Sequence, residues 1–214
     1  MIIDVWSDVV CPWCFIGKRR LEKALSNFEH KDKVSVRHRA FQLDPSINQT
    51  VPTSLMLAEK YKVDSEQVKA MQANVCSIAD GEGLCYKLEN TLSGNTFDAH
   101  RLLLWSATID MQDELLEAMY SSYFEKERPL FSHSDLVLVA SGIGIDADKV
   151  EEILITDKYS DEVIADRNLA AQLGATGVPF FVFDMKFGIS GAQPLENFVK
   201  TLDEAWQTHA KLVN

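Results

Sequence analysis

The chain has 214 residues, 46% of them apolar, enough for one large domain or a domain carrying an insertion. Its formal charge of −11, from 21 basic and 32 acidic residues, argues against a general nucleic-acid surface. No apolar run reaches the ~18 residues a membrane span needs, and the first residues lack the basic-then-apolar pattern of a secretory signal, so a cytoplasmic protein is expected.

Residues 1–6 read as a strand and 12–28 as a helix, with Pro12 in the first turn, where a missing N–H costs nothing. Cys14, Leu21, Leu25 and Phe28 make one stripe of period 3.6 that should face the core. Lys18, Arg19 and Arg20 lie on other faces and should keep the surroundings electropositive. In the second strand, Val34 to Phe41, the residues Val34, Val36 and His38 alternate with Ser35, Arg37 and Arg39.

Between about 45 and 158 the pattern is helical alone. A segment from Asp64 carries Val68, Met71, Val75, Cys76 and Ala79 on one face and ends at Gly81 and Gly83. Helices over 95–110 and 113–124 follow, then shorter ones near 134–142 and 146–155. A helix over 159–173, closed by Gly174 and Gly177, leads to the apolar run Pro179–Phe183. Asp184 to Lys186 turns the chain into an antiparallel neighbour, Phe187–Ser190. Pro194 then opens a last helix with Leu195, Phe198, Leu202, Ala205, Trp206 and His209 on one face. Without the helical stretch, a shell ordered β-α-β then α-β-β-α remains, about 100 residues long, the usual size of one compact domain. The expected architecture is an α/β thioredoxin fold over 1–44 and 159–214, with a large inserted α-helical domain over 45–158.

The chemistry concentrates in Cys11-Pro12-Trp13-Cys14, at the junction of the first strand and helix. Two thiols at this spacing form and break a disulfide without large backbone movement. Cys11 falls at or next to the N-cap, facing free N–H groups and the positive end of the helix, where a sulfur anion is stabilised. The core-facing stripe makes Cys14 the resolving thiol. Half a zinc site and two inert thiols are the alternatives, but zinc usually takes two such pairs and no second CxxC exists. In a reducing compartment a CxxC beside a strand–helix pattern reads as redox chemistry. Trp13 is expected to be exposed, as an apolar platform for substrate. Cys76 and Cys85 read either as a second dithiol or as two small hydrophobes. Asn95 to Asp98 reads as an N-cap with a capping-box partner, and the acidic residues at 151, 152, 161 and 162 as a solvated face.

The segment Asp4 to Gly17, which contains the CPWC motif, resembles the start of DsbA-like thiol:disulfide oxidoreductases of the FrnE type. Asn95 to Arg101, Gly177 to Phe181 and Ile189 to Pro194 are similar to further segments of the same group, in the same order along nearly the whole chain. The resemblance implies that Cys11 is the nucleophile, Cys14 the resolver, and Pro179 a cis-proline beside them. It leaves the backbone of Val178 to pair with substrate, next to Pro12 and Trp13. By the residues alone Pro179 is equally an ordinary strand-initiating proline. His100 either lines the cleft above Cys11 or is a satisfied polar residue at the domain boundary. The implied partners are protein or small-molecule thiols and disulfides, handled by a monomer or homodimer. The implied cofactor is none beyond the Cys11–Cys14 disulfide, with glutathione as a conceivable co-substrate. Kappa-class glutathione transferases and 2-hydroxychromene-2-carboxylate isomerases belong to the same superfamily. They characteristically carry serine in place of Cys11, which makes glutathione-dependent isomerisation the rival reading.

Overall fold

The structure, a computed structural model, describes residues 1–213, and of Val213 only the backbone. The chain runs β1 (Ile2–Ser7), α1 (Pro12–Ser26), β2 (Ser35–Ala40), β3 (Val51–Pro52), α2 (Thr53–Tyr61), α3 (Ser65–Gly81), β4 (Leu92–Ser93) and α4 (Phe97–Ser106). It continues through α5 (Gln112–Tyr120), α6 (His133–Ser141), α7 (Ala147–Leu154), α8 (Ser160–Gln172), β5 (Phe180–Phe183), β6 (Phe187–Ser190) and α9 (Leu195–Val213). The main sheet has the order β2-β1-β5-β6, with β1 parallel to β2 and antiparallel to β5, and β5 antiparallel to β6. This is the thioredoxin-type α/β fold with a helical insertion.

The period-two alternation of the strands assigns the two faces of the sheet. Ile3, Val5, Phe181, Phe183 and Ile189 point to one side and pack with Leu21, Ala24 and Phe28 of the α1 region and Phe198, Leu202 and Ala205 of α9. Trp6, Phe180 and Val182 point to the other side and meet Ala170 of α8, while the Trp6 indole donates to the Asp166 carbonyl at 2.8 Å. Asp4 shares that second face, and its buried carboxylate accepts from Arg37 at 3.0 Å and Arg39 at 2.8 Å on the neighbouring strand. A buried carboxylate is tolerable only with such partners. A Leu195 that leaves the apolar face is exposed.

The insertion has its own core, built on Leu102, Leu115, Leu116, Met119, Phe124 and Leu136. Cys14, Phe15 and Ile16 of α1 enter that same cluster, so one helix serves both cores. The stretch is not helical alone, because β3 and β4 form a short antiparallel pair, Val51 opposite Ser93. Two-residue strands leave no periodicity to read. α2 lies inside the stretch read as helical but at a place given no helix of its own. Its sequence, TSLMLAEKY, buries no side chain completely and so has no continuous apolar stripe. The capping box of α3 forms as its sequence suggests, Asp64 with Gln67. That of α4 does not. The Asn95 oxygen accepts from Phe97 N–H at 2.8 Å, while Asp98 turns to Arg101 and His133.

Candidate active site

After β1 the chain turns so that the Cys11 N–H donates to the Asp8 carbonyl at 3.1 Å. Cys11 is the N-cap of α1, extended at φ −91° and ψ 110°, and Pro12 takes the first helical position. Its sulfur therefore sits where a helix concentrates positive potential. Across from it the Val178–Pro179 peptide bond is cis, and the Cys11 thiol donates to the Val178 carbonyl at 3.6 Å. Gly17 makes this approach possible. A Cβ there would stand 3.0 Å from Pro179 Cγ and 3.0 Å from Phe181 Cζ.

The two sulfurs are not equivalent. Both residues are buried, Cys11 at 3% and Cys14 at 2% exposure, but Cys11 lines a cleft while Cys14 lies behind it in the helical core. Burial pushes the Cys14 thiol well up, and its hydrogen bond to Cys11 and the charge on that sulfur push the same way. Cys14 therefore holds its proton more tightly than an ordinary thiol.

The cleft holds about 870 Å³ and is walled by Cys11, Pro12, Trp13, Gly177 and Val178 on one side. Met56 and Leu57 of α2, Met71 and Val75 of α3, and Leu88 make much of the opposite wall. α5 runs into a wider π turn over Ser121–Glu125, which brings Tyr123 and Phe124 to the cleft floor. The Tyr123 hydroxyl donates to the Leu92 carbonyl at 2.6 Å, and burial pushes it up to about 12.

Several site residues lie elsewhere than the sequence suggests. His100 does not line the cleft. It is 2% exposed, and its Nε2 lies 3.2 Å from a carboxylate oxygen of Asp8, which lines the cleft in its place. Trp13 is half-buried rather than exposed, because the insertion supplies side chains for it to pack on. Lys18, Arg19 and Arg20 do not give the cysteines an open positive field. Lys18 is buried against Glu22, Asp113 and Glu117, Arg19 pairs with Glu22 and Glu117, and Arg20 with Glu82. Cys76 is half-buried, with its sulfur 3.8 Å from the Tyr86 carbonyl, and Cys85 is exposed. All four cysteines are free thiols. Among the described residues no group of three or more His, Cys, Asp or Glu side chains is placed to hold a metal ion.

Two residues go unnoticed in the sequence. Asp8 joins the first strand's end to the insertion, since its second oxygen accepts from Leu43 N–H at 2.8 Å while the first meets His100. An acid set directly before the apolar pair Val9-Val10 and Cys11 is the signal that could have found it. Tyr86 donates to the Pro12 carbonyl at 2.7 Å and stacks on Phe124 at 4.9 Å. Burial, and then the charges of Cys11 and Cys14, push its hydroxyl up, so it remains a donor. Nothing local points to it.

Three solved structures share this arrangement of elements. A probable DsbA oxidoreductase from Streptomyces coelicolor is 45% identical, with 97% of this chain and 90% of that one covered and a TM-score of 0.93. A 2-hydroxychromene-2-carboxylate isomerase superposes with a TM-score of 0.70 at 15% identity, covering 99% of each chain. The cytosolic disulfide reductase DsbM from Pseudomonas aeruginosa, solved with glutathione, does so with 0.65 at 14% identity over 100% of both chains. The family model of the DSBA-like thioredoxin domain matches residues 2–203. The chain belongs to the DSBA-like thioredoxin domain family.

Proposed function

We propose that this protein is a thiol:disulfide oxidoreductase of the FrnE type, with Cys11 as nucleophile and Cys14 as resolving thiol. The observation that carries the reading is the asymmetry of the pair. One sulfur stands at a helix N-cap on the wall of a cleft, and the other is buried behind it with its proton held. In the reducing direction the Cys11 thiolate attacks a disulfide, R–S–S–R′, forming Cys11–S–S–R and releasing R′S⁻, which takes a proton. Cys14 then loses its proton and attacks the Cys11 sulfur. The Cys11–Cys14 disulfide forms, RS⁻ leaves, and two electrons have passed to the substrate. Run in reverse, the same steps oxidise a dithiol.

Substrate lies against Pro12, Trp13 and Val178 in this reading, beside Pro179, and His100 acts only through Asp8. The partners are thiols and disulfides, with glutathione as one candidate thiol because the Pseudomonas reductase was solved with it. Among the described residues no helix is long and apolar enough to cross a membrane. We assign the activity to the cytoplasm on the likeness to the cytosolic Pseudomonas reductase. The likeness to an isomerase keeps a glutathione-dependent isomerase as the rival. Turnover of a model disulfide with dithiothreitol as reductant separates the two. Cys11→Ser and Cys14→Ser should each lower it at least a hundredfold, and a Cys14→Ser protein that turns over normally would refute the dithiol cycle.

A further inference from the structure

We infer that the substrate of the Cys11 cleft is a low-molecular-weight disulfide or thiol with an uncharged, apolar body, rather than an anionic thiol such as glutathione or the cysteine of a folded protein. This narrows the redox reading above and rests on it.

Three observations converge. The first is access: Cys11 is only 3% exposed and is reached through a cleft of about 870 Å³, a volume typical of small-molecule sites. The loop holding Leu43 and Ile47, α2, α3 and the Gly177–Val178 loop line it, so Cys11 lies recessed from the surface that a folded protein would meet first. The second is the lining. Ile47, Met56, Leu57, Met71, Val75 and Leu88 converge on the space facing Cys11. α2 contributes Met56 and Leu57, which are only half-buried, so part of their apolar surface faces the cleft. Met, unbranched and polarisable, adapts to varied apolar shapes.

The third is charge. The charged side chains lining the cleft are Asp8, Asp44, Glu59 and Lys60, and with Asp8 taken up by His100 and the Leu43 N–H, two carboxylates stand against one ammonium. A body with two carboxylates and one ammonium, net negative as glutathione is, would enter a wall of its own sign with a single cation to meet its carboxylates, and lose hydration in doing so. An uncharged body meets no such opposition.

The test uses the Cys14→Ser protein and methanethiosulfonates that differ only in their tail: benzyl, sulfonatoethyl and trimethylammonioethyl. The Cys11 sulfur displaces methanesulfinate and forms a mixed disulfide, so the rate does not depend on any reduction potential. Rates at Cys11, resolved by mass spectrometry and divided by those of free cysteine, should favour the benzyl reagent over the sulfonate by more than about tenfold. Met71→Lys, at a half-exposed position on the cleft wall, should cut that ratio at least fivefold. In turnover by the unmodified protein, bis(2-hydroxyethyl) disulfide should exceed insulin in kcat/KM by at least tenfold. Equal rates for the benzyl and sulfonate reagents, or faster turnover of insulin, overturn the substrate class while leaving the redox reading intact. A Cys11 that reacts with no reagent overturns both.

Discussion

Removing the Asp8 carboxylate should loosen the joint between the sheet and the insertion at the point where the cleft opens. Asp8 and His100 are each about 2% exposed at the side chain, and their contact of 3.2 Å has no bulk water to replace it. Breaking a buried pair by deleting one partner costs about 3–5 kcal/mol when both are charged, and an unsatisfied N–H about 1–3 kcal/mol. The Leu43 N–H lies near the surface and regains water, so its share sits at the low end, and the His100 contact is not an ideal one. We expect Asp8→Ala to lose about 3 kcal/mol and Asp8→Asn, which keeps an acceptor for Leu43, about 1 kcal/mol. For a chain of this size 1 kcal/mol moves Tm by about 2–4 °C, so Asp8→Ala should melt about 6–12 °C lower. Thermal unfolding followed by circular dichroism on the reduced protein measures it. A cycle with His100→Ala isolates the pair, because the double variant should lose less than the two single losses added together. An Asp8→Ala protein melting within 2 °C of the parent, or strict additivity in the cycle, would refute the joint.

Gly17→Ala sets a helix gain of about 1 kcal/mol against an overpacking cost of about 1–3 kcal/mol. Because the new methyl stands 3.0 Å from both Pro179 and Phe181, melting should change by only a few degrees while kcat/KM falls about tenfold. Unchanged turnover would show that the Gly17 contact does not position Pro179. Burial raises the Cys14 thiol above its ordinary value, so its contribution to stability is full below about pH 9 and is lost as pH rises beyond it. Reduced protein should therefore lose more stability between pH 8.5 and 10.5 than Cys14→Ala does, in urea melts at each pH. Burial works to raise the Asp184 carboxyl, but the Ile2 N–H and His209 outweigh it and hold that group below its usual range. Its contribution is present above about pH 4 and lost as pH falls further, so the gap between the parent and Asp184→Asn should close below pH 3.

What could be read in the sequence was what is encoded locally. The alternation in β1 and β2, the proline behind an N-cap cysteine, and the apolar β5 before a tight turn each carry their own signal within a few residues. The rest depends on partners far along the chain. Lys18 and Arg19 look like free cations until α5 brings Asp113 and Glu117 onto them. Trp13 looks exposed until the insertion covers it, and His100 is drawn behind Asp8 by a contact between residues 92 positions apart. α2 was missed because its inner face meets a cleft instead of a core, which removes the stripe that marks most helices. The same absence of burial that hid α2 is what marks it as a wall for substrate.

The division of labour between the two sulfurs is tested most directly by trapping. Cys14→Ser protein, incubated with a model disulfide and digested under acid, should carry the adduct on Cys11 in near-stoichiometric amount, while Cys11→Ser protein should carry almost none on Cys14. An adduct on Cys14 in the absence of Cys11, formed at a comparable rate, would contradict the assignment of the cleft-facing sulfur as nucleophile.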